Sequence, residues 1–188
     1  MIVVMFLGGL TSAVAYTIRG YLNIFFLEVM HYDKVDALYL TSFALFVMIV
    51  FLPVFGLLAD KVGYRRFMYI ICAIIFLIIL PCYIMLAHQE KYVIDVFIGL
   101  IGLGILAAGV CAPAYAYAIK SFEVELRFSG VAFSWNLGLA LMGGTTPMIS
   151  RYLFETISKV APAYYLMGLA LPYILVSVVT SSKHLYSK

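Results

Sequence analysis

Arg19 is the one charged residue in the interior of a long apolar run, and it has polar company. Ser12, Tyr16, Arg19 and Asn23 follow one another at separations of four, three and four, which puts them on one stripe of a helix. An arginine in hydrocarbon costs roughly 3 kcal/mol or more, so it normally faces a cavity or a partner. Its planar fork of donors matches a carboxylate. The stripe is therefore a candidate anchor for the carboxylate of an anionic or zwitterionic solute, with Tyr16 and Asn23 fixing its orientation. Two structural readings compete with it: Arg19 snorkels to a headgroup, or pairs with an acid such as Glu28 or Asp95. Asn136 is a further candidate binding residue, on a stripe with Ser129, Phe133, Ala140, Gly143 and Pro147 in a later apolar run.

The second chemistry-bearing stretch is Gly56-Leu-Leu-Ala-Asp60-Lys61-Val-Gly63-Tyr64-Arg65-Arg66, the densest patch of charge in the chain. It lies between two uncharged runs, Ala37–Leu58 and Phe67–Ala87, each close to the ~20 residues that cross a bilayer as a helix. It reads as a tight turn at a membrane surface. Gly56 is expected to admit a neighbouring backbone, and Gly63 to take the positive φ that closes the turn. Asp60, an acid at the end of an apolar run, needs a partner, for which Arg65, Arg66 or a helix N-terminus are the candidates. The spacing resembles the signature loop of the major facilitator superfamily, with Tyr64 intervening before the arginines. The resemblance implies a gating loop built on Gly56, Asp60, Gly63, Arg65 and Arg66.

Other chemistries find no support. Cys72, Cys82 and Cys111 are isolated in apolar runs with no metal-ligand spacing and read as small buried hydrophobes. The glycines from Gly99 to Gly109 lie inside an apolar run with no preceding strand, so they read as close helix packing rather than a dinucleotide loop. No nucleophile–base pair or metal constellation suggests an enzyme, and no cofactor is implied.

These side chains must be positioned by membrane spans. The 188 residues are 65% hydrophobic and 11% charged, which excludes an ordinary soluble domain. A net charge of +3, with the cations at span ends, gives no footing for nucleic acid. The chain reads as an all-α membrane protein with six spans at about 1–27, 37–58, 67–87, 96–119, 128–150 and 161–182, joined by short connections. The first run is too long for a cleavable signal peptide and lacks a small-residue cleavage site. Lys61, Arg65, Arg66, Lys120, Arg127, Lys183 and Lys188 outnumber Lys34, Lys91, Arg151 and Lys159 on the other side, which predicts both termini in the cytoplasm. Pro53 is expected to bend the second span. Gly143-Gly-Thr-Thr-Pro147 is expected to loosen the fifth.

From Arg127 the sequence resembles the metabolite:H+ symporter family, its proline/betaine transporters in particular. Arg127-Phe-Ser-Gly-Val-Ala-Phe-Ser-Trp135-Asn136-Leu-Gly, Gly143-Gly-Thr-Thr-Pro147 and Ala161-Pro-Ala-Tyr-Tyr-Leu-Met167 carry the likeness to its eleventh and twelfth spans. Tyr16 to Tyr32 is similar to its seventh. Glu123 stands where the family has proline, and Arg19 where apolar residues are common. The resemblance implies the C-terminal half of the major facilitator fold, two inverted three-helix repeats, with the N-terminal six-span half absent. No Asp or Glu lies deep in a span, and the resemblance places the coupling carboxylates in the absent half.

The function so implied is half of a proton-coupled carrier for a small proline- or betaine-like solute, not competent alone, in the bacterial inner membrane. Its partners would be the bilayer, the solute and proton, and a separately encoded N-terminal half. The alternative is a six-span structural or interaction protein without transport. Spans one, two, four and five are expected to line a half-cavity while three and six face lipid. A thiol placed at Asn136 or Ser42 should then be more accessible than one at Ile75.

Overall fold

The computed structural model describes residues 1–87 and 93–185. His88 to Tyr92 of the third connection, Lys91 of the charge count among them, and the side chains of Lys183 and Lys188 lie outside the described residues. Among the described residues the chain is helical, with no strand. Five helices are long and apolar enough to cross a membrane by length and composition. They are α1 (Ile2–Val29), α2 (Lys34–Val62), α3 (Tyr64–Leu86), α4 (Val93–Lys120), and a last helix whose apolar part is Ala161–Thr180.

The stretch expected as the fifth span is divided. Helix α5 (Arg127–Gly138) runs into a π-helical turn, Leu139–Gly143, and α6 (Thr146–Thr156) starts afresh with Pro147 at its beginning. The cause lies in residues 143–147. Pro147 has no N–H to continue the ladder, while the Thr145 and Thr146 hydroxyls donate back to the carbonyls of Leu141 and Met142 at 2.8 and 2.7 Å. The last helix, α7, spans Ala161–Leu185. Glu123 is extended and leads into a single 3-10 turn, Val124–Leu126, before α5. Helix α2 passes through Pro53 without a break.

Helix α4 is the spine. It packs along α2 and α3 and touches α1 and α5. Small residues allow this: a Cβ on Gly104 would lie 2.8 Å from the Ala44 carbonyl oxygen on α2. Helix α1 packs against α5, its π turn and α7. Gly138 is the tightest point there, since a Cβ would sit 2.0 Å from the carbonyl oxygen of Met5.

Three expectations need correction. Gly56 admits no neighbour, since a Cβ there would meet nothing within 4 Å. Helix α3 does not simply face lipid: Phe67, Ile71, Ile75, Ile79 and Tyr83 form a buried stripe along it, where it packs on α4 and α7. Ile75 is 1% exposed and Leu77 is 74% exposed, so Leu77 is the outward-facing reference that Ile75 cannot be. Cys72 and Cys82 are buried, but Cys111 is only partly so and lines a cavity.

Candidate solute cavity

A cavity of about 470 Å³ lies between α1, α2, α4 and α5, with no lining residue from α3 or α7 among the described residues. Helix α1 contributes Thr11, Ser12, Ala15, Tyr16 and Arg19; α2 contributes Met48 and Leu52. Cys111, Ala112 and Tyr115 come from α4, and Trp135 and Leu139 from α5 with its π turn. Among the described residues the lining contains one cation and no acid.

Arg19 sits in a π-helical segment of α1, Thr17–Tyr21. Single π turns are uncommon and recur at functional sites because the wider turn presents a side chain that an α-helix would turn away. Among the described residues Arg19 has no hydrogen bond and no ion pair. Of the two acids considered for it, Glu28 and Asp95, Glu28 is taken by Arg151, with contacts of 3.0 and 3.3 Å, while Arg151 also holds Glu155 at 2.9 Å. That trio is half exposed, so solvent screens each pair and it adds little.

The same cavity holds two aromatics that the stripe analysis did not select. The rings of Tyr115 and Trp135 are stacked, with centroids 4.2 Å apart and planes 26° apart. Trp135 is 6% exposed and wedged against α1 beside Gly8, so its plane is fixed by packing. Tyr115 is largely exposed and lines the cavity. Two hints were available: Trp135 is the chain's single tryptophan, and Tyr115 follows Pro113.

Of the sequence candidates, Tyr16 and Arg19 meet in this cavity, with Ser12, and Asn23 and Asn136 do not line it. Asn23 leaves the stripe because the i→i+5 turn between them takes in an extra residue and rotates all that follows. Asn136 points away because α5 buries Gly130, Ser134, Trp135 and Gly138, which leaves Ser129, Phe133 and Asn136 exposed. Its amide donates to the Ala132 carbonyl at 2.7 Å.

The loop between α2 and α3 is a single residue, Gly63, with φ +94°. Its N–H closes α2 on Ala59 at 2.9 Å and its carbonyl opens α3 to Phe67 at 2.9 Å. Asp60 pairs with neither arginine; its carboxylate accepts from the Tyr64 hydroxyl across the Gly63 junction. Arg65 instead reaches α7, donating to the Ser177 carbonyl and, at 3.1 Å, to the Tyr69 hydroxyl. The intervening Tyr64 thus serves the acid, and Arg65 ties α3 to α7. Arg66 is exposed.

The family model described as Major Facilitator Superfamily matches residues 2–184. The chain is 28% identical over 166 residues to the glycine betaine/proline/ectoine/pipecolic acid transporter OusA of Dickeya dadantii, covering 85% of this chain and 32% of that protein. It is 27% identical over 157 residues to a putative proline/betaine transporter of Staphylococcus haemolyticus, covering 83% and 33%. The ectoine/proline transporter ProP of Corynebacterium glutamicum is 25% identical over 159 residues, covering 84% and 31%. The chain thus spans about a third of the length of the curated relatives it matches. No solved structure matches it.

Proposed function

This chain belongs to the Major Facilitator Superfamily, and on that premise we propose that it is the C-terminal, six-span half of a proton-coupled carrier for a small zwitterionic carboxylate. The observation that carries the reading is the unpaired guanidinium of Arg19 in an acid-free cavity that also holds the stacked Tyr115 and Trp135 rings. A guanidinium suits a carboxylate, and an aromatic face suits a quaternary or secondary ammonium. A solute with both groups a few ångströms apart satisfies both ends. Glycine betaine and proline, which the names of these relatives include, have that chemistry. The reading includes two inverted three-helix repeats, with α5 and α6 together as the fifth span, in a bacterial inner membrane with both termini cytoplasmic. An N-terminal half would supply the opposite wall and the proton-coupling carboxylate.

Trp135, the chain's one tryptophan, is a built-in reporter. Its fluorescence should respond to glycine betaine added to the chain in nanodiscs. The response to 3,3-dimethylbutanoate, which has the same shape and carboxylate but no positive charge, should need up to about tenfold more solute. Tyr115→Leu should shrink that difference. If neither solute changes the emission, the cavity is not a solute site and the six-span structural reading takes its place.

The Gly56, Asp60, Gly63, Arg65 and Arg66 loop is read as the gating element, with the Tyr64–Asp60 bond biasing one access state. In a carrier reconstituted from both halves, Asp60→Asn should change the uptake rate while the yield of folded protein stays the same. Uptake kinetics matching the parent would remove the gating role.

A further inference from the structure

The solute cavity has an aromatic wall. Tyr16, Tyr115 and Trp135 line it, together with two sulfur side chains, Met48 and Cys111. Trp135 and Tyr115 are near-parallel and in contact, 4.2 Å between centroids and 26° between planes, so one face of the Tyr115 ring is taken. Tyr115 is nonetheless 57% exposed, which leaves its other face open. Tyr16 is held against the π turn of α5, where a Cβ on Gly143 would lie 3.2 Å from its Cδ2. The guanidinium of Arg19 is the one charge in the lining among the described residues.

Such a wall sorts cations by how firmly they hold water. A compact primary ammonium is strongly hydrated and needs an acid or several acceptors in exchange for that water. Aromatic faces suit a delocalised, weakly hydrated cation instead, and the thioether of Met48 adds a polarizable contact for a ring. Size points the same way. The cavity of about 470 Å³ falls within the roughly 300–1,000 Å³ that takes drug-sized ligands, room that glycine betaine leaves unfilled. On the premise that this cavity is the solute site, we propose that its preferred solute is a flat aromatic zwitterion, a ring that carries a delocalised positive charge and a carboxylate. The carboxylate takes the Arg19 fork, and the ring extends the Trp135–Tyr115 stack by one member.

The test is isothermal titration calorimetry of the chain in nanodiscs with N-methylnicotinate, glycine betaine and benzoate. N-methylnicotinate should bind about tenfold more tightly than glycine betaine, from the added stacking. It should also bind about tenfold more tightly than benzoate, which has the ring and the carboxylate but no positive charge. Tyr115→Leu should weaken N-methylnicotinate about tenfold and glycine betaine by no more than about threefold. Tyr115→Phe, which keeps the ring, should leave the preference intact. Both changes fall on an exposed side chain, so neither endangers the fold. Glycine betaine binding as tightly as N-methylnicotinate would overturn the proposal and leave the solute site standing, as would a Tyr115→Leu loss equal for the two. Benzoate matching N-methylnicotinate would overturn it too, since the positive charge would then go unread. Binding of none of the three would remove the solute site itself, and the proposal with it.

Discussion

Arg19→Gln should weaken carboxylate binding by about ten- to hundredfold while leaving the protein at least as stable as before. The two halves of that expectation have opposite physical origins. Hydrogen bonds to a charged group are worth about 1.5–3 kcal/mol, and a solute carboxylate bound at Arg19 loses them with the guanidinium. The folded chain, in contrast, gives Arg19 no partner among the described residues, so a cost of roughly 3 kcal/mol for an arginine in the membrane is uncompensated until solute arrives. Arg19→Lys keeps the charge but not the fork, and should fall between the parent and Arg19→Gln. Trp135 emission against solute concentration gives the binding, and thermal unfolding in nanodiscs gives the stability. A large drop in melting temperature with Arg19→Gln would show a structural ion pair, and undiminished solute binding would remove Arg19 as the anchor.

Gly138→Val should destabilise the bundle by about 3 kcal/mol or more, the upper end of what overpacking costs. The Cβ would meet the Met5 carbonyl oxygen at 2.0 Å and the Gly9 nitrogen at 2.8 Å. Both are backbone atoms, so no rotamer change relieves the clash and α1 must move off α5. Because Trp135 and Arg19 ride on those two helices, the cavity widens and the tryptophan emission shifts with the loss of stability. Gly56→Ala is the control. It has open space around its Cβ and should be neutral or stabilising by up to about 1 kcal/mol, from helix propensity alone. Thermal unfolding that ranks Gly138→Val with Gly56→Ala would mean that α1 and α5 are not in contact there.

Much of the architecture was legible because it depends on properties that a linear sequence carries directly. Runs of apolar residues near bilayer length marked the positions of the helices. The glycine at 63 marked the turn, since its positive φ is a demand on one residue. The Gly-Gly-Thr-Thr-Pro stretch marked the interruption between α5 and α6 through a missing N–H. The site was legible only in part. Tyr16 and Arg19 came together as their spacing implies, but Asn23 was lost to a π turn, which changes helical phase without a signature of its own. Asn136 was chosen because polar residues on a span suggest a wet face, whereas α5 turns its glycines and Trp135 inward to fit against α1. Asp60 was assigned to Arg65, Arg66 or a helix N-terminus; the hydroxyl of Tyr64, just across the Gly63 turn, engages it instead.

The one-residue junction at Gly63 has a mechanical consequence. With no linker between them, α2 and α3 can change their mutual angle only through the two dihedrals of that glycine, a single crank pin joining two long rods. The pin is braced: Tyr64 grips Asp60 across it, Lys120 rests on the same ring, and Arg65 lashes α3 to α7. This end of the bundle is therefore the stiff end, and a small rotation at the pin is multiplied over the length of both rods into a larger sweep at their far tips.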